Sequence, residues 1–382
     1  MNFEFQSPRS TLVARGASGR VGELAGRLGC KTVLIVTDQG VRRAGLLAAA
    51  ERSLQEAGVA FEIYDEVQAD PAESVIHAAV DAARACGAQG VIGLGGGSSL
   101  DVAKLVALLL PGHQRLDQVY GVGLAVGPRL PLILVPTTAG TGSEVTPISI
   151  VTTGEGEKKG VVSPVIIPDW AVLDAELTLG LPAPVTAATG VDAMVHAIEA
   201  YTSKRLKNLV SDCLAREALR LLAGNIHEAC RNGSNVQARE NMLLGAMLAG
   251  LSFANAPVAA VHALAYPVGA RFHVPHGLSN SLVLPAVLRF NAPAAESLYA
   301  ELAPIVVPGA KGTAAELCAT LVRYLGELPV ELGLKTRLSQ VGIAQADLEA
   351  LATDAMKQTR LLINNPREVA YSDAYAIYAE VL

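Results

Sequence analysis

The sequence predicts an α/β domain over residues 1–180 followed by an all-helical domain over residues 181–382. In the first 175 residues or so, short β-branched runs alternate with longer segments rich in Ala, Leu and Gly, which is typical of parallel β-α-β units. Two of the strands lead directly into glycine-rich turns. After Pro182 and Pro184 the chain continues in long Ala/Leu-rich segments with few β-branched runs. A length of 382 residues is consistent with two domains.

Each element of the α/β half is predicted from its own pattern. Continuous apolar, β-branched runs predict strands that are covered on both faces, and Gly or Pro at the edge of a segment marks where a helix begins or ends. The predicted strands are 31–37, 61–64, 90–94 and 130–136. The predicted helices are 44–58, closed by Gly58, and 71–86, opened by Pro71 and followed by Gly87.

The second half is predicted to form helices at about 186–203, 208–230, 236–254 and 258–270, with several more up to the C-terminus. A run of 29 residues without a charge, Met242–Ala270, passes the simple length test for a membrane span. It also contains Asn255, His262, Tyr266 and two prolines. Polar groups and prolines in one segment favour buried helices over lipid-facing ones. We therefore expect no membrane span.

Composition excludes several classes of protein. Hydrophobic residues make up 51% of the chain and charged residues 17%, which is too apolar for a disordered chain. The net charge of -6 provides no polybasic surface, so we expect small-molecule partners and no nucleic acid. The first ten residues lack a basic patch followed by an apolar core, so we expect a cytoplasmic protein. Five widely spaced cysteines without a C-x-x-C pair predict buried thiols rather than disulfides or zinc ligands.

The glycine-rich turn after the third predicted strand is the first candidate ligand site. Within 91–104, three consecutive glycines separate the strand from the start of a helix. Glycines let the backbone approach a phosphate closely, Ser98 and Ser99 are able to cap the helix, and the first-turn N–H groups attract an anion. The run lacks the third glycine of the standard dinucleotide signature. A tight strand-to-helix turn therefore stays an alternative.

A second loop, 137–144, follows the next strand and combines three Thr, one Ser and two Gly. Two such loops at the carboxyl ends of parallel strands predict a nucleotide site, with an ordinary polar loop as the alternative. Asp38 follows the strand at 31–37. Its carboxylate is able to accept a hydrogen bond from a ribose 2'-hydroxyl, which favours NAD over NADP, or to cap a helix.

A group of histidines in the helical half is the candidate metal site. Asp192 and His196 are four residues apart on a predicted helix, so both project from one face. His262 lies in the apolar run, and His276 stands between Pro275 and Gly277. One Asp and three His form a ligand set suited to Fe(II) or Zn(II) with room for substrate. Hydrogen-bonded core histidines and a helix-surface pair are the alternatives.

Several segments together resemble the iron-containing (group III) alcohol dehydrogenases. The segments are 95–104, 136–145, 188–201, 261–269 with 275–277, and 364–367, in order over most of the chain. The resemblance implies the dehydroquinate synthase-like fold, with a dinucleotide-binding domain at 1–180, an all-helical metal-binding and substrate domain at 181–382, and the cofactor in the cleft between them. It also implies a homodimer or larger homo-oligomer.

The resemblance assigns a role to particular residues. It implies that the four metal ligands are Asp192, His196, His262 and His276. It places Gly96, Gly97 and Ser98 nearest the phosphates, with Asp101 on the helix behind them. It places Thr137, Thr138 and Thr141 against the cofactor, Asp38 at the adenosine ribose, and Lys159 where a lysine reaches the nucleotide.

One position departs from the best-known fermentative members of the family. They commonly carry a second histidine four residues after the third ligand, where this chain has Tyr266. A phenol, with an ordinary pKa near 10, is a poorer base at neutral pH than imidazole. Candidates for the proton relay are therefore Tyr266, His273, water and a ribose hydroxyl.

Together these inferences predict an oxidoreductase that depends on NAD and on a divalent metal and interconverts primary alcohols and aldehydes by hydride transfer. The expected metal is Fe2+, with Zn2+ as the alternative. Alternative activities on the same fold are a hydroxyacid-oxoacid transhydrogenase and a diol or glycerol dehydrogenase.

Overall fold

The computed structural model describes residues 2–154 and 157–382 of the chain. These residues form two compact units. One comprises Gln6–Gly180, and the other comprises Leu181–Leu382 together with residues 2–5.

All strands found in the described residues lie in the unit formed by Gln6–Gly180. The strands are β1 (Ser10–Val13), β2 (Thr32–Val36), β3 (Ala60–Tyr64), β4 (Gly90–Gly95), β5 (Gly121–Val122), β6 (Leu132–Pro136), β7 (Ile148–Thr153), β8 (Glu157–Val162) and β9 (Trp170–Leu173). The helices are α1 (Val21–Arg27), α2 (Gln39–Arg43), α3 (Ala48–Glu56), α4 (Glu73–Ala85) and α5 (Gly97–Leu109).

A six-stranded parallel sheet organises this unit, with strand order β1-β9-β6-β4-β2-β3. Alternate residues of each strand belong to opposite cores. Val33 and Ile35 pack with α1 and α3, whereas Leu34 and Val36 pack with α4 and α5. Because both faces of the sheet are covered by helices, the strands are apolar throughout rather than alternating.

The order of the strands reverses at β2. The chain passes from β2 outward to β3, then returns to β4 on the other side of β2. In open α/β sheets, ligands bind at the carboxyl ends of the strands beside such a reversal. Asp38 follows β2, and the glycine-rich turn follows β4. The fold therefore brings two of the predicted cofactor segments to the reversal point.

The structure corrects several element predictions. Of the predicted helix 44–58, only Ala48–Glu56 is helical, as α3. Gly45 adopts a left-handed φ of 72° in the turn that separates α3 from α2, which ends at Arg43 and was not predicted. The helix predicted from Pro71 begins at Glu73. The predictions missed β1 and β9, which pair with each other, and a second sheet of order β5-β8-β7 whose β7 and β8 are antiparallel. β1, β5 and β9 are only two to four residues long, and β7 and β8 include several polar residues, so their sequence signals are weak.

The second unit is helical, which confirms the predicted fold class of an α/β half and an all-helical half. Its helices are α6 (Ala183–Thr202), α7 (Leu209–Arg231), α8 (Val236–Asn255), α9 (Ala260–Phe272), α10 (His276–Val306), α11 (Ala314–Glu331), α12 (Leu348–Met356), α13 (Thr359–Leu362) and α14 (Tyr371–Glu380). All five cysteines are free thiols, but the prediction that they are buried holds only for Cys30 and Cys318, since Cys86 and Cys230 are partly buried and Cys213 is exposed.

The uncharged run Met242–Ala270 spans the end of α8 and most of α9. Among the described residues, no single helix passes the length and hydropathy test for a membrane span. The pair formed by α8 and α9 passes it jointly, but the two helices meet at an angle of 107°.

Asp174 generates a stability prediction. Its buried carboxylate accepts hydrogen bonds from the backbone N–H groups of Gly16 and Ser18, each at 3.0 Å, and from the Ser18 hydroxyl at 2.6 Å. Asp174→Ala leaves these donors unpaired next to the ends of β1 and β9, so we expect a loss of about 2–4 kcal/mol in urea denaturation. Asp81→Ala, at an exposed pair with Arg84, is the control and should change stability by less than about 0.5 kcal/mol. Equal effects of the two variants would contradict the assignment.

Candidate metal centre and nucleotide loops

Three helices of the second unit bring the four predicted metal ligands together. Asp192 and His196 lie on α6, His262 on α9, and His276 is the first residue of α10. One potential ligand atom from each of the four side chains lies within 4.8 Å of all the others. The sequence separates these residues by up to 84 positions, so only the packing of the helices unites them.

Close packing of α10 against α6 sets the position of His276. A Cβ atom at Gly277 would lie 2.5 Å from the Ala188 carbonyl oxygen and 3.3 Å from the Asp192 Cβ. Only glycine permits this approach of the two backbones. It places His276 Nε2 3.7 Å from Asp192 Oδ1, while His262 Nε2 lies 4.0 Å from the same oxygen. Two ligands on one tetrahedral ion are roughly 3.4 Å apart, so the observed spacing is slightly wide.

The ligand group is largely buried and stacked. The His196 ring lies between Phe253, at 4.3 Å between centroids, and His262, at 4.7 Å. The side chains of Asp192 and His262 are 2% and 3% exposed, whereas that of His276 is 31% exposed. The accessible side of the group is therefore the side of His276.

Glu199 holds His262 from behind. One carboxylate oxygen lies 2.6 Å from His262 Nδ1, and the other accepts a hydrogen bond from the Val261 N–H at 2.6 Å. A proton on Nδ1 satisfies this contact and leaves Nε2, which faces Asp192, with its lone pair. Carboxylate partners of this kind orient metal-binding histidines in proteins. Glu199 was not predicted from the sequence, although it stands three residues after His196 within the segment 188–201.

The protonation states suit a cation. Burial, together with the neighbouring His196 and His276, lowers the pKa of His262 well below its usual value, so its imidazole is neutral and able to ligate. Burial alone would raise the pKa of Asp192, but the three histidines and the Asn280 amide lower it. Burial raises the pKa of Glu199 to about 7. The group therefore combines the anionic oxygen of Asp192 with the neutral imidazole of His262.

The two candidates for the proton relay lie in different surroundings. The Tyr266 ring is half-buried, with its centroid 6.3 Å from that of His262 and 5.9 Å from that of His276. His273 is exposed at the end of α9, with a left-handed φ of 53°. Tyr266 thus lines the candidate centre, and the relay through either residue stays a prediction.

The other unit brings the two predicted nucleotide loops into contact at the start of α5. A Cβ atom at Gly97 would lie 2.7 Å from Thr141 Cγ2, and one at Gly96 would lie 3.8 Å from Thr138. Thr137 is buried, and its N–H donates to the Gly95 carbonyl at 2.9 Å. The glycines after β4 and the threonines after β6 therefore form one surface.

The prediction that Ser98 and Ser99 cap α5 is wrong. The helix begins at Gly97 with Gly96 as its N-cap, so both serines lie inside the first turn. Ser98 is half-buried there, while the Ser99 hydroxyl donates to Asp38 Oδ2 at 3.4 Å. Because a glycine cap offers no side-chain acceptor, the first-turn N–H groups are well placed for an anion.

Asp38 caps a helix and also borders the glycine turn. Its Oδ1 accepts a hydrogen bond from the Val41 N–H at 3.0 Å, which makes it the N-cap of α2. Its Oδ2 would lie 3.4 Å from a Cβ atom at Gly95. Asp38 also lines a cavity of about 520 Å³ with Arg43, Tyr64 and other residues. The capping alternative therefore holds, and contact with a ribose stays a prediction that the remaining oxygen permits.

Asp101 supports the loops from inside the protein. Its carboxylate accepts from the Ser143 hydroxyl at 2.6 Å and from the Ile150 N–H at 2.9 Å. The buried Lys104 Nζ lies 3.8 Å from Asp101 and donates to Ser143, Thr146 and the Ile148 carbonyl. This network joins α5 to the second loop and to β7.

Lys159 is placed differently from the other predicted cofactor residues. It lies on β8 in the three-stranded sheet, with Nζ 3.6 Å from the Glu157 carboxylate and 5.9 Å from the centre of the Tyr120 ring. Its contact with a nucleotide stays a prediction.

Glu144, in the second loop, generates a pH prediction. Burial raises its pKa from 4.5 to about 7, so the folded chain binds more protons than the unfolded chain between those values. Its contribution to stability is therefore present at low pH and is lost as the pH rises from about 5 to 8. In Glu144→Gln, the difference between the free energies of unfolding at pH 5 and pH 8, measured by urea denaturation, should be smaller than in the wild type by up to about 3 kcal/mol. The exposed Glu157→Gln is the control, and an unchanged slope in Glu144→Gln would contradict the prediction.

Comparisons with known proteins agree with this geometry. The family model described as iron-containing alcohol dehydrogenase matches residues 8–175, and the C-terminal model of the iron-containing alcohol dehydrogenase family matches residues 186–382. A sulfoacetaldehyde reductase of Bilophila wadsworthia is 38% identical over 347 residues, which is 90% of this chain and 89% of that protein.

Solved structures have the same fold. A crystal structure of a 1,3-propanediol oxidoreductase superposes with a TM-score of 0.97 at 33% identity and covers 100% of both chains. The sulfoacetaldehyde reductase of Bifidobacterium kashiwanohense in complex with NAD+ has a TM-score of 0.89 at 27% identity, covering 100% of this chain and 99% of that one. These matches confirm the resemblance inferred from the motifs. The protein belongs to the iron-containing alcohol dehydrogenase family.

Proposed function

We propose that this protein uses NAD and a divalent metal to interconvert primary alcohols and aldehydes by hydride transfer. The observation that carries the proposal is the convergence of Asp192, His196, His262 and His276, whose ligand atoms all lie within 4.8 Å of one another. The proposed domain roles follow, with 1–180 binding the dinucleotide and 181–382 binding the metal and substrate. Fe2+ is the expected ion, with Zn2+ as the alternative.

The residues fit a divalent ion by their chemistry. One carboxylate and three imidazoles are a common ligand set for Fe(II) and Zn(II). With its proton on Nδ1, His262 donates to Glu199 at 2.6 Å, and this tautomer leaves the Nε2 lone pair for an ion. The side chain of Asn280, buried beside the group, has a carbonyl oxygen without a hydrogen-bond partner among the described residues. Protein groups alone therefore do not satisfy every polar atom of this site.

The chain's own residues bind and orient the reactants. A divalent ion held by the four ligands supplies Lewis acidity that lowers the pKa of a substrate hydroxyl. NAD supplies the hydride acceptor, and the protein supplies its position. The uncapped first turn of α5 offers N–H groups to a pyrophosphate, and Asp38 Oδ2 offers an acceptor to a ribose hydroxyl. Tyr266 borders the substrate space on the accessible side of the ligand group.

A diol dehydrogenase is the second candidate within the same chemistry. The likeness to a 1,3-propanediol oxidoreductase over the whole chain favours it. A sulfonated aldehyde is another candidate substrate, because one relative is a sulfoacetaldehyde reductase. A cytoplasmic location and a homo-oligomeric state stay predictions.

Metal removal tests the proposal directly. Protein stripped with a chelator should lose aldehyde-dependent oxidation of NADH, and added Fe2+ or Zn2+ should restore it. Loss of a residue that only hydrogen-bonds to a metal ligand weakens metal binding roughly 10–100-fold. His196→Ala removes a ligand itself and should weaken metal binding by more than this. His227→Ala, at a surface histidine beside Glu331, should retain metal and activity. Undiminished activity in verified metal-free protein would refute the metal requirement.

The nucleotide site has its own test in Gly96→Ala. Gly96 has a φ of -73°, and an added Cβ has its closest contact at 3.8 Å, so the fold accepts alanine there. If a pyrophosphate packs against this glycine, the methyl group should raise the dissociation constant of NADH about tenfold, which is about 1.4 kcal/mol. Gly224→Ala, whose Cβ would enter open space on α7, is the matched control. Fluorescence titration measures both, and an unchanged NADH affinity in Gly96→Ala would count against the site.

A further inference from the structure

Asn280 lies at the centre of the ligand group, although no sequence motif singled it out. It is four residues after His276 on α10, so the two side chains share a helix face. It is 0% exposed. A fully buried amide beside four ionisable groups must be explained by its contacts.

The Asn280 side-chain nitrogen touches three of the four proposed ligands. Nδ2 donates to Asp192 Oδ1 at 2.5 Å. It also lies 3.3 Å from His262 Nε2 and 3.3 Å from His276 Nε2. An amide nitrogen carries two hydrogens, so these three acceptors compete for two donors.

Asn280 and Glu199 require the same tautomer of His262. Glu199 accepts from Nδ1, and Asn280 Nδ2 approaches Nε2 as a donor. Both contacts are satisfied when the proton is on Nδ1 and the lone pair is on Nε2. The Asn280 carbonyl oxygen, in contrast, has no hydrogen-bond partner among the described residues. The orientation of the amide is therefore determined by the ligands it faces and by nothing on its other side.

We propose that Asn280 is a positioning residue of the metal centre, whose side-chain N–H holds the Asp192 carboxylate in the arrangement that receives the ion. This inference rests on the proposed metal site. Loss of the donor frees the Asp192 carboxylate to rotate. Outer-shell hydrogen bonds of this type affect metal affinity about 10–100-fold.

The test measures Co2+ binding to full-length, metal-stripped protein by competition with a chromophoric chelator and by the visible absorption of bound Co2+. Asn280→Ala should bind Co2+ about 10–100-fold more weakly, and at saturation its absorption bands should differ from those of the wild type. Asn280→Leu keeps a similar volume without any donor and should show the same loss. It also guards against a folding defect in the alanine variant.

Ser281→Ala is the matched control. Ser281 is the next residue on α10, is 1% exposed, and has a hydroxyl without a hydrogen-bond partner among the described residues. Its loss should leave both Co2+ affinity and spectrum unchanged. If either Asn280 variant binds Co2+ with the affinity and spectrum of the wild type, the inference is overturned. This holds even if the metal-free variant has a lower melting temperature, because a purely structural role of Asn280 would lower only the melting temperature. If the wild-type protein binds no Co2+, the metal site itself is refuted and this inference falls with it.

Discussion

The burial of one carboxylate and three imidazoles in an apolar helical unit is the constraint on which the site depends. Charged or polar groups in such an interior cost several kcal/mol unless they have partners. On α6 the polar residues Asp192, His196 and Glu199 are spaced i, i+4 and i+7, so they form a stripe along one face of the helix and are close enough to share partners. Fifteen residues of this helix are buried, so the stripe faces protein rather than solvent. His262 and His276 then arrive from α9 and α10 to complete the group.

In the α/β unit, buried polar side chains also support the predicted site. There the surface predicted to face the nucleotide is backbone, and its position is held by side chains that lie behind it. Lys104 and Asp101 hold the second loop against α5 through Ser143. The glycine turn can therefore keep its shape although its residues have no side chains to hold it in place. These contacts explain why a lysine with an exposure of 0% is found among the buried apolar residues of α5.

Much of this architecture could be predicted from the sequence, and the reasons for the exceptions are physical. Continuous apolar runs predicted the central strands β2, β4 and β6. The spacing of Asp192 and His196 predicted that both side chains project from one face of α6. The short edge strand β1 lacks such a run and pairs only with β9, which is distant in sequence. Strand β7 alternates between buried and partly exposed residues and β8 begins with charged residues, so neither shows a continuous apolar run. Glu199 and Asn280 were missed because their importance lies in contacts across 63 and 88 positions. No local spacing encodes contacts of that range.

The double use of Asp38 has a consequence for changing the coenzyme preference of this enzyme. A designer who wished to admit a phosphorylated ribose would first replace this acidic side chain. The same carboxylate, however, accepts the Val41 N–H and starts α2, so an alanine there would also weaken the helix by about 1 kcal/mol. Serine or asparagine keeps the capping acceptor without the negative charge. Under the proposed ribose contact of Asp38, coenzyme choice and local stability are linked at residue 38, and substitutions that preserve both are few.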